Sequence, residues 1–186
     1  MKRWPPVIGV TGVGAAGAAL YLGVSTGRVS VDLGLGRRSR PLGPLDVDFA
    51  APREVVYDLI AAPYLGRTPH AMAAKLRVLE RSDDMVLAEH RTPIGWGLSA
   101  VTVEVVRFSR PDRVAFRLVR GPVPYVVEWF ELTERGGGSR LRYSGELAAD
   151  LWGFGSWWSG VVARRWVAAV DASLSSVKAE AERRAR

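Results

Sequence analysis

Apolar residues near the end of the chain recur at the spacing of an α-helix. Successive intervals of four, four, four, four, three and four residues run through Trp158, Val162, Trp166, Val170, Leu174, Val177 and Ala181. Because an α-helix turns once in ~3.6 residues, these positions form one stripe along a helix. The stripe predicts a long helix from Gly153 to Arg186, and its apolar side needs an equally long partner surface.

Segments of β-strand character precede this helix and are separated by short turns. An alternating stretch at residues 45–49 predicts a first strand, and Ala51-Pro52 then opens a helix that Pro63 ends. Thr68-Pro69 opens a short second helix through about Lys75. Six further strands follow, over Leu76–Arg81, Met85–Arg91, Leu98–Arg107, Val114–Arg120, Val126–Thr133 and Arg140–Leu147.

This order of elements predicts an α+β domain over residues 45–186. It consists of a curved antiparallel sheet of about seven strands wrapped around the long C-terminal helix, with two short helices after the first strand. Residues 28–44, rich in Gly, Arg and Pro, are interpreted as a linker.

Composition and charge exclude several classes of function. The chain has no cysteine and two histidines, so a thiol nucleophile is excluded and neither a metal site nor a cofactor is expected. Of the net charge of +7, +5 lies in residues 1–44 and only +2 in the remainder. Because the predicted domain itself is nearly neutral, no nucleic-acid partner is expected.

An N-terminal stretch of eighteen residues, Val7 to Val24, carries no charge. Basic residues and Trp4 precede it and Arg28 follows it, which indicates a membrane anchor over residues 1–27. The positive charges flanking the span favour a domain on the cytoplasmic side. One alternative to the anchor is a cleaved signal peptide. The second is a nucleotide-binding turn, since residues 12–17 match G-x-G-x-x-G and Asp32 follows twenty residues after Gly12. The second is disfavoured because no further strand–helix–strand units follow.

The domain resembles a known family at both ends. Residues 46–60 read DVDFAAPREVVYDLI, and Gly138-Ser139-Arg140-Leu141 enters the last strand before the long helix. Both stretches are similar to the START-like, helix-grip superfamily (SRPBCC), which includes the polyketide cyclase/dehydrase and lipid-transport proteins. The resemblance implies a hydrophobic pocket between the sheet and the long helix. Tyr64 stands where many members carry a tryptophan.

Strand parity nominates residues for the inner face of the sheet. In the last strand Leu141, Tyr143 and Leu147 alternate with polar residues and are expected to face inward. Pairing across the Gly136–Gly138 turn then places Glu128 on the inner face, opposite Gly145, where Arg120 would neutralise it. In an alternative register Arg120 pairs with Tyr125, and Glu128 forms a salt bridge on the outer surface.

The remaining candidates are open to two interpretations each. His90 is either a solvated residue at a strand end or an acid/base in the pocket. The tryptophans of the long helix either pack it onto the sheet or hold a ring-shaped ligand, and Trp152 and Trp157 would contact a membrane surface if exposed. Glu104, Glu131 and Arg117 are assigned to the solvated face. The candidate ligand-binding residues are Glu128, Arg120, Tyr143, Phe116, Phe130, Leu141, Trp158, Val162, Trp166 and His90.

Three functions are consistent with the sequence. The first is binding of a hydrophobic small molecule, such as a lipid, isoprenoid, quinone or polyketide-like compound, by a membrane-tethered domain. The second is an enzyme of the cyclase/dehydrase type, for which Glu128 and His90 form the plausible acid/base pair. The third is an interaction module whose cavity is filled by its own side chains. The sequence shows no nucleophile constellation, so binding is preferred to catalysis.

Overall fold

The computed structural model describes residues 9–66 and 74–186, with side chains from Gly17 onward. The predicted second short helix falls mainly outside these residues. The elements are α1 (Gly9–Ser25), β1 (Arg38–Phe49), α2 (Arg53–Leu65), β2 (Leu76–Arg81), β3 (Met85–Gly95), β4 (Leu98–Ser109), β5 (Arg113–Arg120), β6 (Tyr125–Arg135), β7 (Gly138–Ala149) and α3 (Trp152–Arg184).

Seven strands form one antiparallel sheet in the order β1-β7-β6-β5-β4-β3-β2. Strands β2 to β7 pair with their sequence neighbours, and β1 joins the sheet beside β7. With α2 between β1 and β2 and the long α3 at the end, the arrangement is the predicted α+β helix-grip fold. The fold class inferred from the sequence is confirmed.

The predicted apolar stripe of α3 is its buried side. All seven stripe positions are buried or half-buried, with Val162, Leu174 and Ala181 the most enclosed. The principal contacts of α3 are with β1, β7 and α2, at one side of the sheet. Helix α2 also contacts β3, β5 and β6, and Phe116 and Phe130 on the inner face of the middle strands remain half-buried. We refer to the space between α3 and the inner face of β4–β6 as the cleft.

Two boundaries differ from the predictions. Helix α2 contains Pro63 in its last turn and ends at Leu65, because the φ angle that proline imposes, about −65°, is itself helical. Strand β1 begins at Arg38, inside the predicted linker, because residues 38–42 pair with the end of β7 before an irregularity between Leu42 and Leu45. The glycine and proline content of this stretch concealed a strand.

The segment before β1 is also attached to the domain. The buried carboxylate of Asp150 accepts hydrogen bonds from the backbone N–H groups of Leu33 and Gly34, at 2.6 and 2.9 Å, and from Arg37 Nε at 2.7 Å. These bonds hold the pKa of Asp150 at about 2, with the Arg37 guanidinium as the main cause. Residues 33–37 therefore form part of the folded unit.

Helix α1 is 17 residues long, and no helix within residues 9–66 and 74–186 is both long and apolar enough to cross a membrane. The anchor predicted over residues 7–24 is thus not supported, and its first two residues lie outside the described chain. The end of α1 contacts the domain instead. The ring of Tyr21 meets that of Trp158 edge-on at 6.1 Å, and the Thr26 carbonyl accepts a hydrogen bond from the Val101 N–H. The location of the protein in the cell stays a prediction.

Candidate functional site

Glu128 faces the interior of the grip. In β6 and β7 the observed register pairs Glu128 with Gly145 and Phe130 with Tyr143, as expected from the Gly136–Gly138 turn. On the other side β5 pairs Phe116 with Glu128. The side chain of Glu128 is consequently buried, at 4% exposure. The alternative register, with Glu128 on the outer surface, is not the one observed.

Two aromatic side chains hold the Glu128 carboxylate. Its Oε1 atom accepts hydrogen bonds from the Tyr143 hydroxyl at 2.6 Å and from Trp166 Nε1 at 2.7 Å. A Cβ atom at Gly145 would lie 3.2 Å from Glu128 Cγ and 2.6 Å from a backbone carbonyl oxygen of β6, so the close approach of β7 requires glycine. Burial, together with the negative charge of Glu104, raises the pKa of Glu128 to about 7. The hydrogen bonds from Tyr143 and Trp166 act in the opposite direction and lower this pKa.

A second polar cluster joins β3, β4 and the end of α2. His90 Nε2 lies 2.9 Å from the Tyr64 hydroxyl, and His90 Nδ1 lies 3.2 Å from Glu104 Oε2. The other oxygen of Glu104 accepts a hydrogen bond from the Thr102 hydroxyl at 2.7 Å. The His90–Glu104 contact has the separation of an ion pair but lacks hydrogen-bond geometry. The structure thus places His90 among interior polar groups rather than at a solvated strand end.

The electrostatics of this cluster favour a charged pair. Burial is the largest influence on His90 and lowers its pKa, but the negative charge of Glu104, with a smaller contribution from Glu128, raises it above the ordinary value overall. Burial likewise raises the pKa of Glu104, and the opposing influence of His90 and Thr102 leaves it below the ordinary value. Both directions agree with a protonated His90 beside an ionised Glu104.

A row of aromatic rings connects the two clusters along the inner face. Phe116 lies 5.9 Å from Tyr64 and 5.3 Å from Phe130, measured between ring centroids, and Phe130 lies 5.1 Å from Tyr143. The rings are tilted or edge-to-face, which is the favourable arrangement for aromatic pairs. The cleft therefore has an apolar aromatic floor with a proton-exchanging group near each end.

The structure separates the other predicted residues into two groups. Leu141 and Val162 are buried core residues, and Trp158 is half-buried, with its Nε1 donating to the Pro122 carbonyl at 2.8 Å. Arg120 is exposed, and within the described chain it makes no ion pair with Glu128.

The placement of Arg120 follows from an irregularity in the sheet. The register of β5 against β4 shifts by one residue between the Val103–Arg120 pair and the Glu104–Leu118 pair. Because of this shift, Arg120 no longer lies on the same face of β5 as Phe116, which points inward. The predicted neutralisation of Glu128 by Arg120 is wrong for this reason.

The expected position of Glu104 on the solvated face is wrong. Glu104 is 5% exposed and pairs with His90. Strand β4 is apolar at both parities around it, so alternation does not identify the inner side. Thr102 and Glu104 are two residues apart and hence share a face, but this spacing does not say which face of the sheet is the inner one. Glu131 and Arg117, assigned to the same solvated face, are exposed as expected.

Two surface depressions lie away from these groups. One, of about 350 Å³, is formed by residues 52–54 and 134–138, and the other, of about 400 Å³, lies among charged residues on the outer face of the sheet. Neither is lined by a residue of the two polar clusters. In residues 9–66 and 74–186 no three His, Asp or Glu side chains are grouped to hold a metal ion.

Comparison with known proteins gives a family and a fold. The family model described as polyketide cyclase / dehydrase and lipid transport matches residues 45–182. No match was found among curated proteins. Among solved structures, the Zhui aromatase/cyclase from Streptomyces sp. R1128 is 16% identical, with a TM-score of 0.59 over 81% of this chain and 96% of its own.

Two further structures show the same fold. The di-domain aromatase/cyclase StfQ from the steffimycin pathway is 18% identical, with a TM-score of 0.61 over 81% of this chain and 52% of its own. A START superfamily protein from Mycobacterium smegmatis is 15% identical, with a TM-score of 0.53 over 79% of this chain and 97% of its own. At these identities the structures establish the fold and not a shared activity.

Proposed function

This chain belongs to the polyketide cyclase/dehydrase and lipid-transport family, and we propose that it binds a hydrophobic, ring-bearing small molecule in the cleft between α3 and the sheet. The observation that carries the proposal is the half-buried row of aromatic rings with a buried carboxyl group beside it. Burial of apolar rings would supply the affinity, and the carboxyl group would orient the ligand.

The polar end of the ligand is proposed to meet Glu128. With a pKa of about 7, this carboxyl group is protonated in roughly half of the molecules near neutral pH. A protonated carboxyl donates to a carbonyl oxygen, and an ionised one accepts from a hydroxyl group. A quinone or a polyketide-like aromatic compound carries such oxygens on a flat ring, and therefore fits this cleft better than an unfunctionalised hydrocarbon.

Calorimetric titration with a naphthoquinone, and with a fatty acid for comparison, tests this function. We expect saturable binding of the naphthoquinone, weakened about ten- to a hundredfold by Phe130→Ala because about 1.5–3 kcal/mol of apolar burial is lost. Glu131→Gln is the matched control, because Glu131 is exposed on the outer face of the same strand. Equal binding by Phe130→Ala and wild type, or preference for the fatty acid, would contradict the proposed site.

A second candidate function is acid–base chemistry of the cyclase/dehydrase type. The specific observation in its favour is that a paired imidazole and carboxylate, His90 with Glu104, lies beside Phe116 at one end of the aromatic row, with Glu128 at the other end. In a dehydration, Glu128 would take a proton from the carbon beside a carbonyl. His90 would give a proton to the leaving hydroxyl, so that water departs and a double bond forms.

Hydrogen–deuterium exchange at the carbon beside the single carbonyl of 1-tetralone, which is slow without a catalyst, measures this chemistry without the natural substrate. We expect catalysed exchange that rises with pH through about 7, as Glu128 ionises, and that Glu128→Gln abolishes. Exchange that persists in Glu128→Gln would remove Glu128 as the base. Binding without any catalysed exchange would leave the chain a binding protein.

A further inference from the structure

Exposed aromatic side chains are concentrated at the end of the domain where α3 begins. Trp152, Phe154 and Trp157 of the first turns of α3 are 56%, 63% and 58% exposed, and Trp96 in the β3–β4 turn is fully exposed. No other tryptophan or phenylalanine of residues 17–66 and 74–186 is classed as exposed. We refer to these four residues as the aromatic rim.

Contacts between elements bring the members of the rim to one surface. Arg165 Nη1 donates to the Ile94 carbonyl at 3.0 Å, which ties the β3–β4 turn to α3. The rings of Trp157 and Phe154 lie 5.7 Å apart, and Trp157 also contacts Trp158. The end of α1 joins the same surface through the contact of Tyr21 with Trp158, and Tyr21 is itself 58% exposed.

The backbone around Trp152 is strained in a way that keeps the ring at the surface. Leu151 and Trp152 have φ angles of 73° and 47°, in the left-handed region that residues other than glycine rarely adopt. Their N–H groups donate to the carbonyls of Leu35 and Gly36, at 2.8 and 3.1 Å, and a Cβ atom at Gly36 would overlap the indole ring. Such strain persists where the surrounding structure enforces it, and it is concentrated at functional positions.

The charges of this surface have one sign. Residues 9–31 contain no carboxylate, and neither do residues 94–101, 118–127 or 151–170. Asp32 and Asp150, which lie beside these segments, both pair with Arg37. Exposed arginines are present in the same segments, at Arg28 and Arg164. The partner that fits is therefore apolar at shallow depth and negatively charged at its surface.

We propose that the aromatic rim is a docking surface for an anionic lipid bilayer. Tryptophan side chains are favoured at the level of the lipid headgroups, where the ring is apolar and the indole N–H stays hydrated. Arginines beside them add attraction to anionic headgroups. Docking of this kind is peripheral, needs no spanning helix, and goes beyond the proposed function without depending on it.

Vesicle co-sedimentation of the full chain tests the proposal. The probes are phosphatidylcholine vesicles, with and without about a third of phosphatidylglycerol, at low salt. We expect binding to the mixed vesicles that falls about tenfold or more in the double variant Trp96→Ser with Phe154→Ser, because two rings no longer enter the interface. Leu65→Ser with Leu79→Ser is the matched control, because both leucines are exposed away from the rim.

A second variant separates the electrostatic contribution. Arg164→Gln is expected to lower the partition coefficient about fivefold for the mixed vesicles and to have little effect with phosphatidylcholine alone. Failure of the wild type to bind either vesicle would overturn the proposal. Unchanged binding by the rim variants would also overturn it, because attachment would then be assigned to residues 1–16. A dimer that depends on the rim, without vesicle binding, would overturn it as well and would assign the surface to a second copy of the chain.

Discussion

Replacement of Glu128 by glutamine is expected to stabilise the protein at neutral and alkaline pH. The buried carboxyl has a pKa of about 7, against an unfolded value near 4.5, because burial and the charge of Glu104 disfavour ionisation. Between these two pH values the native state holds a proton that the unfolded state has lost, so the free energy of unfolding falls as pH rises. Glutamine stays neutral and still offers an oxygen to Tyr143 and Trp166.

The size of the effect follows from the interval between the two pKa values. Each pH unit changes the free energy of unfolding by about 1.36 kcal/mol, so the full interval corresponds to about 3 kcal/mol. The stabilisation of Glu128→Gln over wild type should therefore be near zero at pH 4.5, grow through pH 6, and level off at about 3 kcal/mol above pH 7. Both proteins share every other titrating group, so the pH-dependent difference arises from Glu128 and from its electrostatic coupling to Glu104 and His90.

Urea denaturation at pH 5, 6, 7 and 8, followed by tryptophan fluorescence, measures this difference. Glu131→Gln is the matched control, because Glu131 is exposed on the outer face of the same strand. A difference between Glu128→Gln and wild type that does not grow with pH would refute the reasoning. It would mean that Glu128 ionises in the native state without a desolvation cost, and hence that it is not enclosed as the structure shows.

Three further changes have defined outcomes. Trp166→Phe removes a donor that lowers the pKa of Glu128, so the midpoint of the Glu128-dependent change in stability should move to higher pH in the same denaturation series. Gly145→Ala should lower the free energy of unfolding by about 1–3 kcal/mol through overpacking, whereas Gly136→Ala has open space for its Cβ and serves as the control. Arg37→Ala should lower it by about 1–3 kcal/mol, because the buried carboxylate of Asp150 loses its charged partner but keeps two backbone donors. A loss in Gly136→Ala equal to that in Gly145→Ala, or none in Arg37→Ala, would contradict these two expectations.

The sequence predicts those parts of the structure where one side is buried and one is exposed. The stripe of α3 is continuous over seven positions and identifies the buried side of that helix without further information. In β6 and β7 a short turn of glycines sets the register, and alternation of polar and apolar residues in β7 sets the face. The inward position of Glu128 follows from these two local signals together.

The parts that the sequence does not predict depend on contacts between distant residues. Glu104 lies in a strand that is apolar at both parities, so only its tertiary contact with His90 identifies its side of the sheet. Arg120 is displaced by a register irregularity that leaves no mark in the sequence. Residues 33–37 have the composition of a linker, but their backbone is held by Asp150, more than a hundred residues away.

Native mass spectrometry of the full chain purified from its own host tests the central claim most directly. We expect a second mass peak from a non-covalently bound small molecule, which organic solvent releases and which has the spectrum of an aromatic or quinonoid compound. Phe130→Ala should lower the occupied fraction, and Glu131→Gln should leave it unchanged. An unoccupied wild-type protein that also fails to take up the naphthoquinone would contradict the account, since a cleft with an aromatic floor and a buried carboxyl group would then hold no hydrophobic ligand.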